Sequence, residues 1–263
     1  MYKQLLLIFS LFILSACGTA TAPSPTNNIP SSSTTMNSPQ ENQVKTSEVN
    51  YFQTTKGFLA EPKQPGSYPG IVMIHEWWGL NEHIKAKAEE LAAQGYLVLA
   101  VDLYNGEIAN TPDQARELTG KINQTIALEN LRAAADYLRK LNTPKIASLG
   151  WCFGGGQSLK LALSGEKLDA TVIYYGQLET DSAKLSAIKW PVLGVFGEQD
   201  SSIPLEQVQQ FEKGLKSNNT PQQIYLYPNV GHAFANPSNK NYAPAETTDA
   251  WNKTLEFLNN SLK

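Results

Sequence analysis

The chain has 263 residues, with 21 Lys and Arg against 24 Asp and Glu, for a formal charge of −3. That balance, with no basic run, excludes nucleic acid and anionic lipid headgroups as the main partner. Two cysteines and three histidines (His75, His83 and His232), with no metal-ligand spacing among them, point away from a metal site.

The N-terminus carries one cation, Lys3, before an apolar stretch from Leu5 to Leu14. Ten residues are too few to cross a hydrocarbon core of about 30 Å, so residues 1–16 read as a signal peptide and not a membrane span. The sequence Leu14-Ser15-Ala16-Cys17 resembles a bacterial lipobox. That resemblance implies cleavage before Cys17, lipidation of its thiol, and an extracytoplasmic protein held to a bacterial membrane by the lipid anchor alone. Residues 18–47 have no aromatic side chain and are mostly Ser, Thr, Pro and Asn. Such a stretch cannot bury enough apolar surface to offset its ordering entropy, so 17–47 is expected to be a disordered tether.

Residues 48–263 are one domain's worth of chain. A hairpin is expected over 48–62, with Lys56-Gly57 as its turn. Six short apolar runs then alternate with helical patterns: 71–75, 96–101, 145–149, 170–175, 192–196 and 223–227. Runs this short, apolar on both parities, suit parallel strands covered on both faces. Between them, Ile84, Ala88, Leu91 and Ala92 share a helical face, as do Leu128, Leu131, Ala135 and Leu138. Leu205, Val208 and Leu215 form another, and Trp251, Leu255 and Leu258 a fourth. Thr111-Pro112-Asp113-Gln114 has the residues of a helix start. The alternation predicts an α/β fold: a mostly parallel central sheet, helices on both faces, and a site at the carboxyl ends of the strands.

Residues 150–156 read Gly-Trp-Cys-Phe-Gly-Gly-Gly between a strand and a helix. A nucleophile flanked by small residues on such a turn is a hydrolase elbow, usually built on serine. Here it is Cys152, the domain's one thiol. An acid after a later strand and a histidine after the next complete the chain order of α/β-hydrolases. Asp200 and His232 satisfy it, although Glu198 follows the same strand as Asp200. His232 would take the thiol proton and the acid would orient the imidazole. The helix N-terminus favours a thiolate, and the backbone N–H groups of Phe153 and Trp77 would face a developing oxyanion. Trp78, Tyr104, Tyr175 and Phe234 are candidate pocket walls. His75 is expected to be a satisfied core histidine and His83 an exposed one at a helix start. Glu76, a carboxylate at the end of a buried strand, should have a partner at the site.

Together, His75-Glu76-Trp77-Trp78-Gly79-Leu80, Asp102-Leu103-Tyr104, the Cys152 elbow, Tyr174-Tyr175-Gly176, Gly197-Glu198-Gln199-Asp200 and Gly231-His232-Ala233-Phe234-Ala235 resemble the dienelactone hydrolase family across nearly all of 50–262. The resemblance implies an α/β-hydrolase fold without cofactor and hydrolysis of small esters or lactones through a thioester, the carboxymethylenebutenolidase type of chemistry. It favours Asp200 over Glu198 and makes Glu76 a catalytic residue that contacts the resting thiol and helps activate it. Family members that act on dienelactone hold its carboxylate with two arginines; the matching positions here are Gly106 and Asn236, and Asn236 is a further candidate for the pocket wall. The expected enzyme is a monomer acting on a small ester or lactone. The alternative is a ligand-binding or thiol redox-sensing lipoprotein that keeps the hydrolase scaffold with little turnover.

Overall fold

The computed structural model describes residues 43–263. The signal peptide, Cys17 and nearly all of the tether lie outside the described residues. The sheet begins inside the segment assigned to the tether, since β1 spans Val44–Phe52 and pairs antiparallel with β2, Thr55–Pro62. The turn falls at Gln53-Thr54, with Gln53 at φ 48, and not at Lys56-Gly57. Lys56 pairs with Asn50 and Gly57 with Val49, both inside the ladder. Gly57 is there for close approach: a Cβ on it would sit 2.9 Å from both the Leu99 and Tyr51 side chains.

Six parallel strands follow: β3 (Gly70–Ile74), β4 (Leu97–Val101), β5 (Ile146–Trp151), β6 (Ala170–Tyr174), β7 (Val192–Gly197) and β8 (Gln222–Tyr227). These match the six apolar runs within one or two residues at most ends. The sheet order is β1-β2-β4-β3-β5-β6-β7-β8, with only the β1–β2 and β2–β4 pairings antiparallel. The chain passes from β3 to β4 on one side, then crosses back to β5 on the other. The β3/β5 gap is therefore the topological switch point, where an α/β sheet opens a crevice at its carboxyl edge.

Helices cover both faces. α1 (Glu82–Ala93) and α7 (Pro244–Leu262) pack with Ile71, Met73, Val98, Val172 and Val195. The other face carries α2 (Pro112–Gly120), α3 (Gln124–Lys140), α4 (Phe153–Leu163), a short α5 (Ser182–Leu185) and α6 (Leu205–Ser217), packed with Val72, Ile74, Leu99 and Phe196. Along β3 successive side chains thus enter opposite cores, as the two-residue strand period requires. The expected helix faces are seated inward: Ile84, Ala88 and Leu91 are buried on α1, Leu131, Ala135 and Leu138 on α3, and Val208 and Leu215 on α6. Thr111 caps α2 by accepting from the Gln114 N–H, with Pro112 in the first turn. Among the described residues no helix is long and apolar enough to cross a membrane.

Candidate active site

Cys152 sits between β5 and α4, at φ 52 and ψ −116. A positive φ on a residue with a Cβ is strained, and it is kept where the surroundings over-determine it. The surroundings here are two backbones pressed together. A Cβ on Gly154 would run into the carbonyl oxygens of Ile74 and His75 on β3's end. The glycines of the motif therefore let α4 start directly against the switch point, while the Cys152 N–H is held by the Tyr174 carbonyl at 2.9 Å.

Three strand ends then converge. His232, in the loop after β8, sets Nε2 3.0 Å from the Cys152 Sγ and Nδ1 2.7 Å from Asp200 Oδ2. Asp200, in the turn after β7, is buried and also accepts from the Ser202 and Ile203 N–H groups at 2.8 and 3.2 Å. Those two bonds turn one oxygen toward the backbone and leave the other for the imidazole. Glu198, two residues earlier, is exposed. Burial pulls the His232 pKa down, but hydrogen bonds to Asp200 and Cys152 and their charges outweigh it and raise it to about 10. The arrangement is a continuous thiol–imidazole–carboxylate relay, able to pass the thiol proton to a histidine that holds it firmly.

Phe153 is the first residue of α4, so its N–H has no acceptor within the helix. Trp77 lies just beyond β3, and both residues line the cleft that contains Cys152. Of the candidate walls, Tyr175 lines it too, edge-on to His232 with ring centroids 5.3 Å apart. The other three aromatic residues do not. Trp78 packs edge-on behind Trp77, Tyr104 lies beneath Phe153 against His75, and Phe234 is buried between Tyr175 and Tyr227. Tyr104 and Phe234 are buried and Trp78 is half-buried against Trp77, a distinction that residue type alone does not carry.

Glu76 is buried, and its partner is Asn236, whose side-chain amide donates to Oε2. The sulfur is bonded to His232, and the Glu76 oxygen Oε2 faces the loop after β8. Burial pushes the Glu76 pKa up to about 7, against the opposing effects of the Asn236 bond and the His232 charge. Asn236 is thus a support for Glu76 and not a wall of the cleft. Gly106 faces a different cleft of about 430 Å³ beneath the β1–β2 hairpin, which shares no lining residue with that of Cys152. His75 is a satisfied core histidine: Nε2 accepts from the Leu103 N–H at 3.1 Å. His83 is half-buried, and not exposed as its place at a helix start suggested.

The Cys152 cleft holds about 580 Å³. Its far half is built from α2 and α4, through Arg116, Thr119, Gln157 and Lys160, none of which the motif analysis reached. The signal that could have found them is helical: on α4, Phe153, Gly156, Gln157 and Lys160 repeat on one face after the elbow. No group of His, Cys, Asp and Glu among the described residues could hold a metal ion.

A mostly parallel sheet with a cysteine-bearing elbow at its switch point, and an acid and a histidine at later strand ends, defines the chain as an α/β-hydrolase. The dienelactone hydrolase family profile matches residues 55–262, and the chain belongs to that family. It is 30% identical over 216 residues to Protein usf of Aquifex pyrophilus, covering 77% of this chain and 92% of that one. It is also 30% identical over 218 residues to a protein of Escherichia coli strain K12 provisionally named carboxymethylenebutenolidase, covering 76% and 80%. A crystal structure from Klebsiella pneumoniae, provisionally described as a dienelactone hydrolase, superposes with a TM-score of 0.75 at 26% identity, over 83% of this chain and 99% of that one.

Proposed function

We propose that the chain hydrolyses small carboxylic esters or lactones with Cys152 as nucleophile. The observation that carries this reading is the unbroken relay from Sγ through both nitrogens of His232 to Asp200. The thiol proton passes to His232 Nε2, and the sulfur attacks the carbonyl carbon. The Phe153 and Trp77 N–H groups stabilise the oxyanion, an effect worth about 3 kcal/mol per donor in comparable sites. Collapse expels the alkoxide or enolate, which takes the proton back from His232 and leaves a thioester on Cys152. His232 then draws a proton from water, the hydroxide displaces the sulfur, and acid and thiol are regenerated. Asp200 holds the imidazole in one tautomer and balances its charge throughout. In a lactone the leaving oxygen stays attached, so one open-chain hydroxy or oxo acid is the product.

The test is hydrolysis of p-nitrophenyl acetate by the purified protein, with mass spectrometry of the protein during turnover. The expected result is a burst of p-nitrophenol and an acetyl adduct on the peptide containing Cys152. Full activity in Cys152→Ala would overturn the mechanism.

We further propose that Cys17 carries a lipid and tethers this domain outside the cytoplasm, a reading supported by the Leu14-Ser15-Ala16-Cys17 sequence. Partition of the full-length protein into the detergent phase, abolished by Cys17→Ser, is the expected outcome; unchanged partition would refute it.

A further inference from the structure

The far half of the Cys152 cleft has a charge of one sign. Arg116 and Lys160 line it, and no Asp or Glu does. Glu76 and Asp200 are buried behind it, each with its own partner. This is a local inversion in a chain whose total charge is −3.

The geometry of the two walls is regular. On α4, Phe153, Gly156, Gln157 and Lys160 have the spacing of one helical face, so the cleft runs along the helix from the thiol to the ammonium group. On α2, Arg116, Thr119 and Gly120 repeat at the same spacing opposite. Gln124, at the start of α3, joins the walls: its Oε1 accepts from Lys160 Nζ at 2.7 Å and from Gln157 Nε2 at 3.1 Å. That amide positions Lys160 without neutralising it. Lys160 has no carboxylate within salt-bridge distance among the described residues, and partial burial lowers its pKa. Arg116 is paired with Asp113, an exposed residue on its own helix, so its charge is partly offset.

We propose that Lys160, assisted by Arg116, is a specificity-determining residue that binds a carboxylate carried by the substrate well away from the scissile carbonyl. This rests on the hydrolase reading above and says which esters that site prefers. Eight residues separate Cys152 from Lys160, about 12 Å along a helix axis, shortened somewhat because helix side chains lean toward the N-terminus. A compact acyl group fills only the thiol end. An extended chain ending in a carboxylate reaches both the sulfur and Lys160, and a one-sign cleft also draws it in from solution.

The experiment compares mono-p-nitrophenyl esters of adipic, suberic and sebacic acid with the same chains ending in a primary amide. Acetyl esters of the matching ω-hydroxy acids and amides cover the opposite chain direction. The readout is the ratio of kcat/KM for the charged over the neutral member, taken within each variant so that a general loss of activity cancels. The expected ratio is about tenfold in the native protein for the longer chains, equivalent to one charge-assisted contact, and it falls with added salt. Lys160→Ala should bring it near one, Lys160→Glu below one, and Lys160→Arg should retain it. A ratio near one in the native protein for both chain directions, with p-nitrophenyl acetate still hydrolysed, overturns the proposal and leaves the hydrolase reading intact. If no ester is turned over, the hydrolase reading fails instead. The subsite is then decided by whether suberamic acid raises the melting temperature more than suberamide does, in a Lys160-dependent way. Stronger preference for a terminal phosphonate than for a carboxylate would overturn the carboxylate assignment.

Discussion

Asn236 donates its side-chain amide to the buried carboxylate of Glu76, tying the loop after β8 to the end of β3 directly behind the thiol–imidazole pair. The bond favours the ionised carboxylate, while burial favours the neutral one, and the balance sets the Glu76 pKa at about 7. An amide provides this support without adding charge. A cation at position 236 would hold Glu76 fully ionised, so the Glu76–Asn236 pair is a local departure that makes a site carboxylate titrate near neutrality.

Kinetics should report that titration. The charge on Glu76 favours the imidazolium form of His232, so kcat/KM for p-nitrophenyl acetate is expected to rise through a limb near pH 7. Asn236→Leu removes the donor and should move that limb upward. Asn236→Arg should move it down, and Glu76→Gln should abolish it. A limb that stays fixed in all three variants would exclude Glu76 as its source.

Stability carries the same titration with a definite sign. Glu76 takes up a proton more readily in the folded protein, with a pKa raised from 4.5 to about 7. The folded state then binds more protons across this window, so stability falls as pH rises from about 4.5 to about 7 and stays lower above it. The full cost is about 3 kcal/mol at 1.36 kcal/mol per pH unit. Glu76→Gln should therefore melt several degrees above the native protein at pH 8, with the difference closing toward pH 4. Calorimetry at the two pH values checks it, and an equal gap at both would contradict the assignment.

Two acids follow β7, and only one is engaged. Asp200 is buried on His232, whereas Glu198 is exposed. Asp200→Asn should lower kcat for ester hydrolysis by about 10³–10⁴, the scale seen when a triad histidine loses its orienting carboxylate. It should also bring down the His232 pKa, which NMR titration of the imidazole would record. Glu198→Gln should change neither quantity. Equal losses from both substitutions would mean that the acid has been misassigned.

The parts of the fold and site that were legible in the sequence are those where one residue type answers one physical demand. Both-face burial made the six parallel strands visible as apolar runs, and chain order singled out Cys152 and His232. Asp200 is only weakly favoured by the local pattern, which Glu198 also meets, and the family resemblance strengthens the choice. The hairpin turn lies away from Lys56-Gly57 because Gly57 answers a different demand: it lets β2 lie against Leu99 and Tyr51 inside the sheet. Glu76 was correctly expected to have a partner, but the partner, Asn236, is 160 residues away, and no local pattern encodes that distance. Trp78, Tyr104 and Phe234 show the same limit, since an aromatic at a strand end can face the cleft or the core equally well.

Gly154 offers the most direct test of how the elbow is held. Its α-carbon faces the Ile74 and His75 carbonyls at the end of β3, with no room for a methyl group. Gly154→Ala must push α4 away from the sheet or distort β3, and overpacking of this kind costs about 1–3 kcal/mol or more. The displacement would also carry Cys152 and the Phe153 N–H off the geometry set by His232. The expected outcome is a lower melting temperature together with a loss of kcat much larger than the loss of folded protein at assay temperature. Gly120→Ala, at the cleft wall but with nothing within 4 Å of a Cβ, is the control for melting temperature alone. If Gly154→Ala instead melts and turns over like the native protein, the close contact between elbow and β3 is not what fixes Cys152.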